Sequence, residues 1–179
     1  MKKTILTAVA LLLTWGNAGL KAQETVTNAF DDLKRSGTVN EQDSEMRQAA
    51  SNAAMQELLA RKPAAGYFCF AEDRMHDIRL DQTIPARWTE RAYETWLQLE
   101  GDCRPGEFYT WQIGVFTPFE ELKDVSVSFS DLTNGDGNKI KSSSFQCFNQ
   151  GGTDTDGQTF RKTVSVPKGH VQALWIGMD

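Results

Sequence analysis

The residues of this chain best suited to chemistry are its paired carboxylates. Glu72-Asp73 and Glu120-Glu121 are adjacent acids, and cleavage of a glycosidic bond commonly uses two carboxyl groups flanking it. Neighbours on a strand, however, point to opposite faces, and acidic side chains are mostly solvated. Glu120-Glu121 directly precedes Leu122-Lys-Asp-Val125, where a wet turn is expected. Both pairs are therefore read as surface.

Candidate metal ligands fare no better. Asn134-Gly-Asp136-Gly-Asn138 places oxygens on alternate residues, as a calcium loop begins. The sixth position of such a loop would be Lys139 rather than glycine, and the twelfth Phe145 rather than glutamate. Asp154-Thr-Asp156-Gly157 fails in the same way. Asn, Asp and Gly between strands instead predict hairpin turns. His76 and His170 lie far apart, with no cysteine or carboxylate at ligand spacing, whereas a catalytic zinc site wants three protein ligands. The sequence thus calls for no metal and no cofactor. It contains no GxSxG elbow, no phosphate loop and no complete GxGxxG. Cys69, Cys103 and Cys147 show no CxxC spacing, so two of them can pair in an oxidising compartment and leave one free. Cys69 and Cys147 sit in aromatic runs, which favours buried thiols acting as small hydrophobes.

Aromatic rings are the remaining candidates, because flat rings stack on sugar faces. Trp111 and Trp175 fall on strand faces that read as buried. Trp96 alternates with Glu94, Gln98 and Glu100, and Trp88 follows Pro85-Ala-Arg in a loop. Trp88 and Trp96 are therefore the two positions where an exposed, carbohydrate-binding platform is expected, weighed against core or domain-contact roles that large aromatics fill more often.

The elements that must hold these residues change character near Gly66. From Gln23 to about Arg61 the chain reads as helical, with Met46, Ala49, Ala50, Ala53 and Leu58 near one face and a start signal at Asn40 and Asp43. Pro63-Ala-Ala-Gly66 ends it and reads as a linker. Beyond it the period is two. Val125, Val127 and Phe129 alternate with serines, and Tyr109, Trp111, Ile113 and Val115 form another apolar face. Further strands are expected at 67–70, 78–80, 93–100, 144–148, 160–166 and 171–178. Short strands separated by Gly and Pro turns predict a mainly β chain, a β-sandwich of the immunoglobulin-like or jelly-roll-like kind over 66–179, preceded by a helical segment and linker over 23–65.

Both ends carry signals. Lys2 and Lys3 precede an apolar run from Ile5 to Trp15, and Leu20-Lys-Ala22 suits cleavage after Ala22, so residues 1–22 read as a secretory leader. The run is shorter than the roughly 20 residues needed to span a bilayer. Export to the periplasm, cell surface or medium is the expectation. The chain holds 19 basic and 24 acidic residues; without Lys2, Lys3 and Lys21 the balance falls to 16 against 24, a net −8. Such a surface is the opposite of a nucleic-acid footprint. Ala173, Leu174, Trp175 and Ile176 are apolar on both faces, as in a strand covered from two sides. A chain ending on such a strand is expected to continue into a further unit.

Seven segments, in order, carry a resemblance: Phe70-Ala-Glu-Asp-Arg74, Ile78-Arg-Leu-Asp81, Pro105-Gly-Glu-Phe-Tyr109, Gln112-Ile-Gly-Val115, Val127-Ser-Phe-Ser-Asp-Leu132, Cys147-Phe-Asn-Gln-Gly-Gly152 and Val171-Gln-Ala-Leu-Trp-Ile-Gly-Met-Asp179. Together they resemble the N-terminal β-sandwich module of glycoside hydrolase family 123-like proteins of Bacteroidota type. The resemblance implies an exported enzyme in which the sandwich precedes a (β/α)₈ catalytic barrel. It implies a retaining β-N-acetylgalactosaminidase activity that uses the substrate's acetamido group, assisted by an Asp-Glu pair in the barrel. No position of this chain matches that pair. The partner implied is the chain's own catalytic domain, with glycan as a further one. Three readings follow: a non-catalytic module of such an enzyme, a free-standing exported sandwich that binds glycan, and a small enzyme in its own right, which the missing constellation makes the weakest.

Overall fold

In the computed structural model, the structure describes residues 5–6, 45–80 and 83–179. The leader segment, apart from a backbone pairing of Ile5–Leu6 with Leu99–Glu100, lies outside the described residues, as do residues 23–44 of the expected helical segment.

The chain is mainly β, and one antiparallel sheet organises it. Its strands are β1 (Phe68–Glu72), β2 (Tyr109–Thr117), β6 (Phe145–Cys147) and β10 (His170–Met178), in the order β1-β2-β10-β6. Nine consecutive pairs join β10 to β2, from His170↔Thr117 to Met178↔Tyr109. Besides the Ile5–Leu6 pairing with Leu99–Glu100, three short pairs accompany this sheet. β3 (Leu122–Val125) pairs with β9 (Val164–Val166), β4 (Leu132–Thr133) with β5 (Lys139–Ile140), and β7 (Gly151–Thr153) with β8 (Thr159–Arg161).

Strand parity divides the sheet between two cores. Tyr109, Trp111, Ile113, Val115, Leu174, Ile176 and Met178 face one way and meet Leu122, Val125, Val164 and Val166 of the β3–β9 pair. This is the sandwich. Phe68, Phe70, Phe116, Val171 and Ala173 face the other way and meet helical residues Met46, Leu58 and Trp88. Coverage on both faces is the physical reason that β10 reads as continuously apolar.

The segment before the sandwich is not one helix. Residues 45–47 are helical, and α1 (Asn52–Arg61) begins afresh at Ser51, whose hydroxyl oxygen accepts from the Ala54 N–H at 3.2 Å. Between them the backbone is used elsewhere. Ala86 N–H donates to Gln48 C=O at 2.7 Å and Ala50 N–H to Ile84 C=O at 2.8 Å. Those bonds replace helical ones and tie the segment to the sandwich.

Several strand expectations change: residues 78–80 form no strand, and 160–166 divides into Thr159–Arg161 and Val164–Val166. Residues 93–100 form a 3₁₀ turn (Tyr93–Thr95) and then a two-residue strand (Leu99–Glu100). The alternation there is real, but it buries Trp96 against the helix-side core instead of building a ladder. Trp96 C=O accepts from Ala71 N–H at 2.7 Å, so this irregular segment covers the edge of β1. Residues 126–130 alternate exposed and half-buried as expected, yet only Val125 belongs to a strand. The Gln150 side chain stands in for a neighbouring strand: its amide donates to Val125 C=O at 2.8 Å and its oxygen accepts from Val127 N–H at 3.1 Å.

The Asn134 and Asp154 loops are hairpins of the same design. Asn134 Oδ1 accepts from the N–H groups of Asp136 and Asn138, and Asp154 Oδ1 from those of Asp156 and Gln158. Gly137 and Gly157 supply the left-handed residues, at φ 81° and 77°. The leading oxygen of each calcium-like pattern is thus committed to its own turn.

All three cysteines are free thiols, with Cys147 buried, Cys69 half-buried and Cys103 exposed. Burial pushes the Cys69 thiol up to about 12 and also raises that of Cys147. We expect a thiolate-selective disulfide reagent at pH 8 to titrate Cys103 rapidly in the native chain and the other two only after denaturation. Rapid loss of a second thiol from the native protein would contradict this burial.

Candidate functional site

The densest chemistry lies where α2 (Ala86–Glu90) and the following arginine cross the end of β1. An open cleft of about 640 Å³ lies there, with Glu45, Glu72, Asp73, Arg87, Arg91 and Glu100 among its walls. Glu72 sits at its base and is 2% exposed. Its Oε1 accepts from Trp88 Nε1 at 2.7 Å, Arg87 Nε at 3.1 Å and Arg91 Nη1 at 3.3 Å. Its Oε2 accepts from Arg87 Nη2 at 3.2 Å. Three donors thus crowd onto Oε1 and one reaches Oε2, so four N–H groups of the chain hold this carboxylate.

The two guanidiniums differ. Arg87 reaches outward as well, donating to Glu45 Oε2 at 2.9 Å. Burial works against its charge, but Glu72 and Glu45 outweigh burial and raise its pKa. For Arg91 burial wins, and its pKa falls despite Glu72. Arg91 also donates to the carbonyls of Ala71 and Thr95, so it bridges β1 to the segment that covers its edge. Glu72 was read from sequence as solvated surface; the structure buries it because its partners arrive from 15 to 19 residues further along.

Asp73 turns the chain beside this cluster. Its Oδ1 accepts from Met75 N–H at 2.7 Å and lies 2.8 Å from His76 Nδ1, while His76 Nε2 lies 3.6 Å from Glu45 Oε2. Gln112, fully buried on β2, locks the turn: its amide donates to the Asp73 and His76 carbonyls, and its oxygen accepts from Ile78 N–H at 3.0 Å. Burial alone would raise the Asp73 carboxyl. The bonds from His76 and Met75, with the nearby charges of His76 and Arg87, bring it below its ordinary value. A depressed carboxyl contributes stability that is present above its unfolded value of 3.8 and is lost as pH falls through the lower folded value. Asp73→Asn is therefore expected to flatten the fall in melting temperature below about pH 4. An unchanged acid limb would remove Asp73 from the account.

Neither tryptophan named from sequence offers a platform. Trp88 is 0% and Trp96 4% exposed. The Trp88 ring stacks on Phe70 with centroids 4.4 Å apart and planes 11° from parallel, and Trp96 packs on Phe68 and Phe70. Trp88 is on α2 rather than in a loop, and its apolar ring fills the helix-side core while its N–H reaches Glu72.

The rings that do reach solvent are others. Phe108 is 46% and Phe148 40% exposed, and their centroids lie 5.9 Å apart. Both lean over Gly177, where an added Cβ would lie 2.4 Å from the tip of one ring and 2.7 Å from the other. The sequence signal for this pair was a glycine inside an otherwise apolar strand.

Among the described residues, no group of three or more His, Cys, Asp or Glu is placed to hold a metal ion. Nor does any helix among them have the length and apolarity to cross a membrane.

No family model and no curated protein matches the chain. One solved structure is a weak neighbour, a family 123 glycoside hydrolase from Clostridium perfringens whose analysis concerned glycolipid glycan hydrolysis. The TM-score is 0.32 and the identity 18%, over 41% of this chain and 15% of that one. The chain thus spans under a sixth of that enzyme's length. The likeness is a weak one.

Proposed function

We propose that this chain is a non-catalytic β-sandwich module of an exported enzyme of the glycoside hydrolase family 123 type. Hydrolysis, of the β-N-acetylgalactosaminidase kind, resides in other sequence of the parent protein. The observation that carries this reading is the engagement of Glu72 by the chain's own arginines and indole. A general acid or base must exchange a proton with substrate, and the most enclosed acid of the cleft is instead bound by four N–H donors of Arg87, Trp88 and Arg91. The cleft is a structural joint. The segments that resemble the family support the same reading, since they form framework: Phe70–Arg74 supplies β1 and the Asp73 turn, Gln112–Val115 the middle of β2, and Val171–Asp179 the central strand β10.

Two measurements test the proposal. The purified chain should leave an aryl β-N-acetylgalactosaminide unhydrolysed, and the coding sequence should continue in frame beyond codon 179 for the length of a barrel. Turnover that Glu72→Gln abolishes, or a stop codon directly after codon 179, overturns it. The exposed Phe108–Phe148 pair favours a second reading, a free-standing exported sandwich that binds glycan.

A further inference from the structure

We infer that Asn134, at the head of the β4–β5 hairpin, is a site of spontaneous self-modification: the backbone nitrogen of Gly135 displaces the side-chain amide of Asn134 as ammonia, and water leaves an acid in its place. Asn134 is the one asparagine of this chain that glycine follows.

The step is an acyl transfer between adjacent residues. The Gly135 nitrogen adds to Asn134 Cγ, the Cγ–Nδ2 bond breaks, and Nδ2 leaves as ammonia carrying the former Gly135 amide proton. Water then opens the resulting succinimide ring. Opening at Cγ gives aspartate, and opening at the main-chain carbonyl gives isoaspartate. Nothing is oxidised or reduced, and water is the only co-reactant. The hairpin supplies what each stage needs. Among the described residues, the Gly135 N–H donates to no acceptor, and a Cβ built on Gly135 would meet nothing within 4 Å, so no side chain shields the nucleophile. Asn134 Oδ1 accepts from Asp136 N–H at 3.1 Å and from Asn138 N–H at 2.8 Å. Two fixed donors on this oxygen draw electron density from Cγ and stabilise the negative charge that grows there as nitrogen adds, the arrangement of an oxyanion hole. Asn134 is exposed, so ammonia escapes and water reaches the ring.

The neighbouring pairs show why the reaction settles on this position. Asp136-Gly137 and Asp156-Gly157 could cyclise by losing water, but their glycine N–H groups are already used. Gly137 donates to Asn134 C=O and Gly157 to Asp154 C=O, both at 3.1 Å, so the turn holds the proton that would have to leave. The second hairpin also shows that the product fits. Asp154 Oδ1 accepts from Asp156 N–H at 3.0 Å and Gln158 N–H at 2.8 Å, the same two bonds that Asn134 makes with an amide oxygen. Aspartate at 134 therefore keeps the turn and adds one negative charge. Isoaspartate puts an extra methylene into the main chain between the turn's donors and acceptors, and it opens the hairpin.

The test is timed incubation of the full chain at pH 8, followed by peptide mass mapping with fragmentation that separates aspartate from isoaspartate. Amide loss should appear first at Asn134, with both isomers present, because only ring opening makes the second. Gly135 has no positive φ and its N–H is unused, and it stands at the second turn position, where proline is common. Gly135→Pro should therefore abolish the reaction with the melting temperature unchanged. Gly135→Ala, whose methyl crowds the attack, should slow it roughly tenfold or more. Because the native turn holds the donors on Oδ1, the folded chain should react at least as fast as the same chain in urea. Asn134→Asp, the product made directly, should melt like wild type. Loss beginning at another asparagine, aspartate as the sole product, or an undiminished rate in Gly135→Pro overturns the inference. So does a native rate well below that in urea, which would make the hairpin a protection. Any of these results leaves the module reading intact, because that reading is decided by hydrolysis and by the coding sequence.

Discussion

Replacing Glu72 with alanine is expected to destabilise the fold by about 3–5 kcal/mol at neutral pH, the range for removing one partner of a buried ion pair. The cost is set by what is left behind. Arg87 and Arg91 have 31% and 19% of their side chains exposed, against 2% for Glu72. Arg87 can turn toward Glu45 and water, but Arg91 is held by backbone carbonyls and loses the acid that offsets its burial. Trp88 Nε1 loses its acceptor inside a packed core, adding the cost of an unsatisfied buried donor, about 1–3 kcal/mol. These terms overlap, so the sum is held near the range for the ion pair. Glu72→Gln keeps an acceptor for Trp88 and removes the charge, and it should cost about half as much. Urea unfolding at pH 7 reads both directly, and the alanine variant should melt on the order of 10 °C lower. A loss under about 1 kcal/mol would place the cluster among solvated surface pairs, and the cleft would again be open to a catalytic reading.

The same cluster shows where sequence reasoning reaches and where it stops. Alternation along Tyr109–Val115 and the unbroken apolar run at Ala173–Ile176 announced the sheet, because a strand covered on one or both faces writes that coverage into its own residues. Period two did not distinguish a ladder from an extended segment that merely turns alternate side chains inward. Hence 126–130 and 93–100 kept their burial pattern without becoming full strands. Glu72 was illegible for another reason. Its character is set by Arg87, Trp88 and Arg91, whose approach depends on how α2 folds back over β1. Trp88 and Trp96 stood in segments without a regular period, so nothing local told a buried ring from an exposed one. Phe108 and Phe148 were legible only through Gly177, and only once the register was known.

Gly114 turns that last point into a prediction. It lies in the middle of β2, paired with Phe70 on one side and Ala173 on the other. A Cβ there would sit 2.3 Å from Trp88 Cη2 and 2.8 Å from Cζ2, far inside contact distance. The glycine is therefore the floor that lets the indole lie flat on Phe70 and deliver its N–H to Glu72. Gly114→Ala is expected to cost about 1–3 kcal/mol, the range for overpacking a core, even though alanine suits a strand better than glycine does. Trp88→Ala, which empties the site, should cost about 3–5 kcal/mol. The decisive measurement is the pair. Phe is shorter than Trp at the ring edge that meets Gly114, so Gly114→Ala should cost markedly less in a Trp88→Phe background than in wild type. Costs that add to within about 0.5 kcal/mol would mean that the two residues do not touch, and the route from β2 through Trp88 to Glu72 would have to be abandoned. Coupling of 1 kcal/mol or so would tie the glycine, the buried indole and the buried carboxylate into one joint holding the helical segment to the sheet.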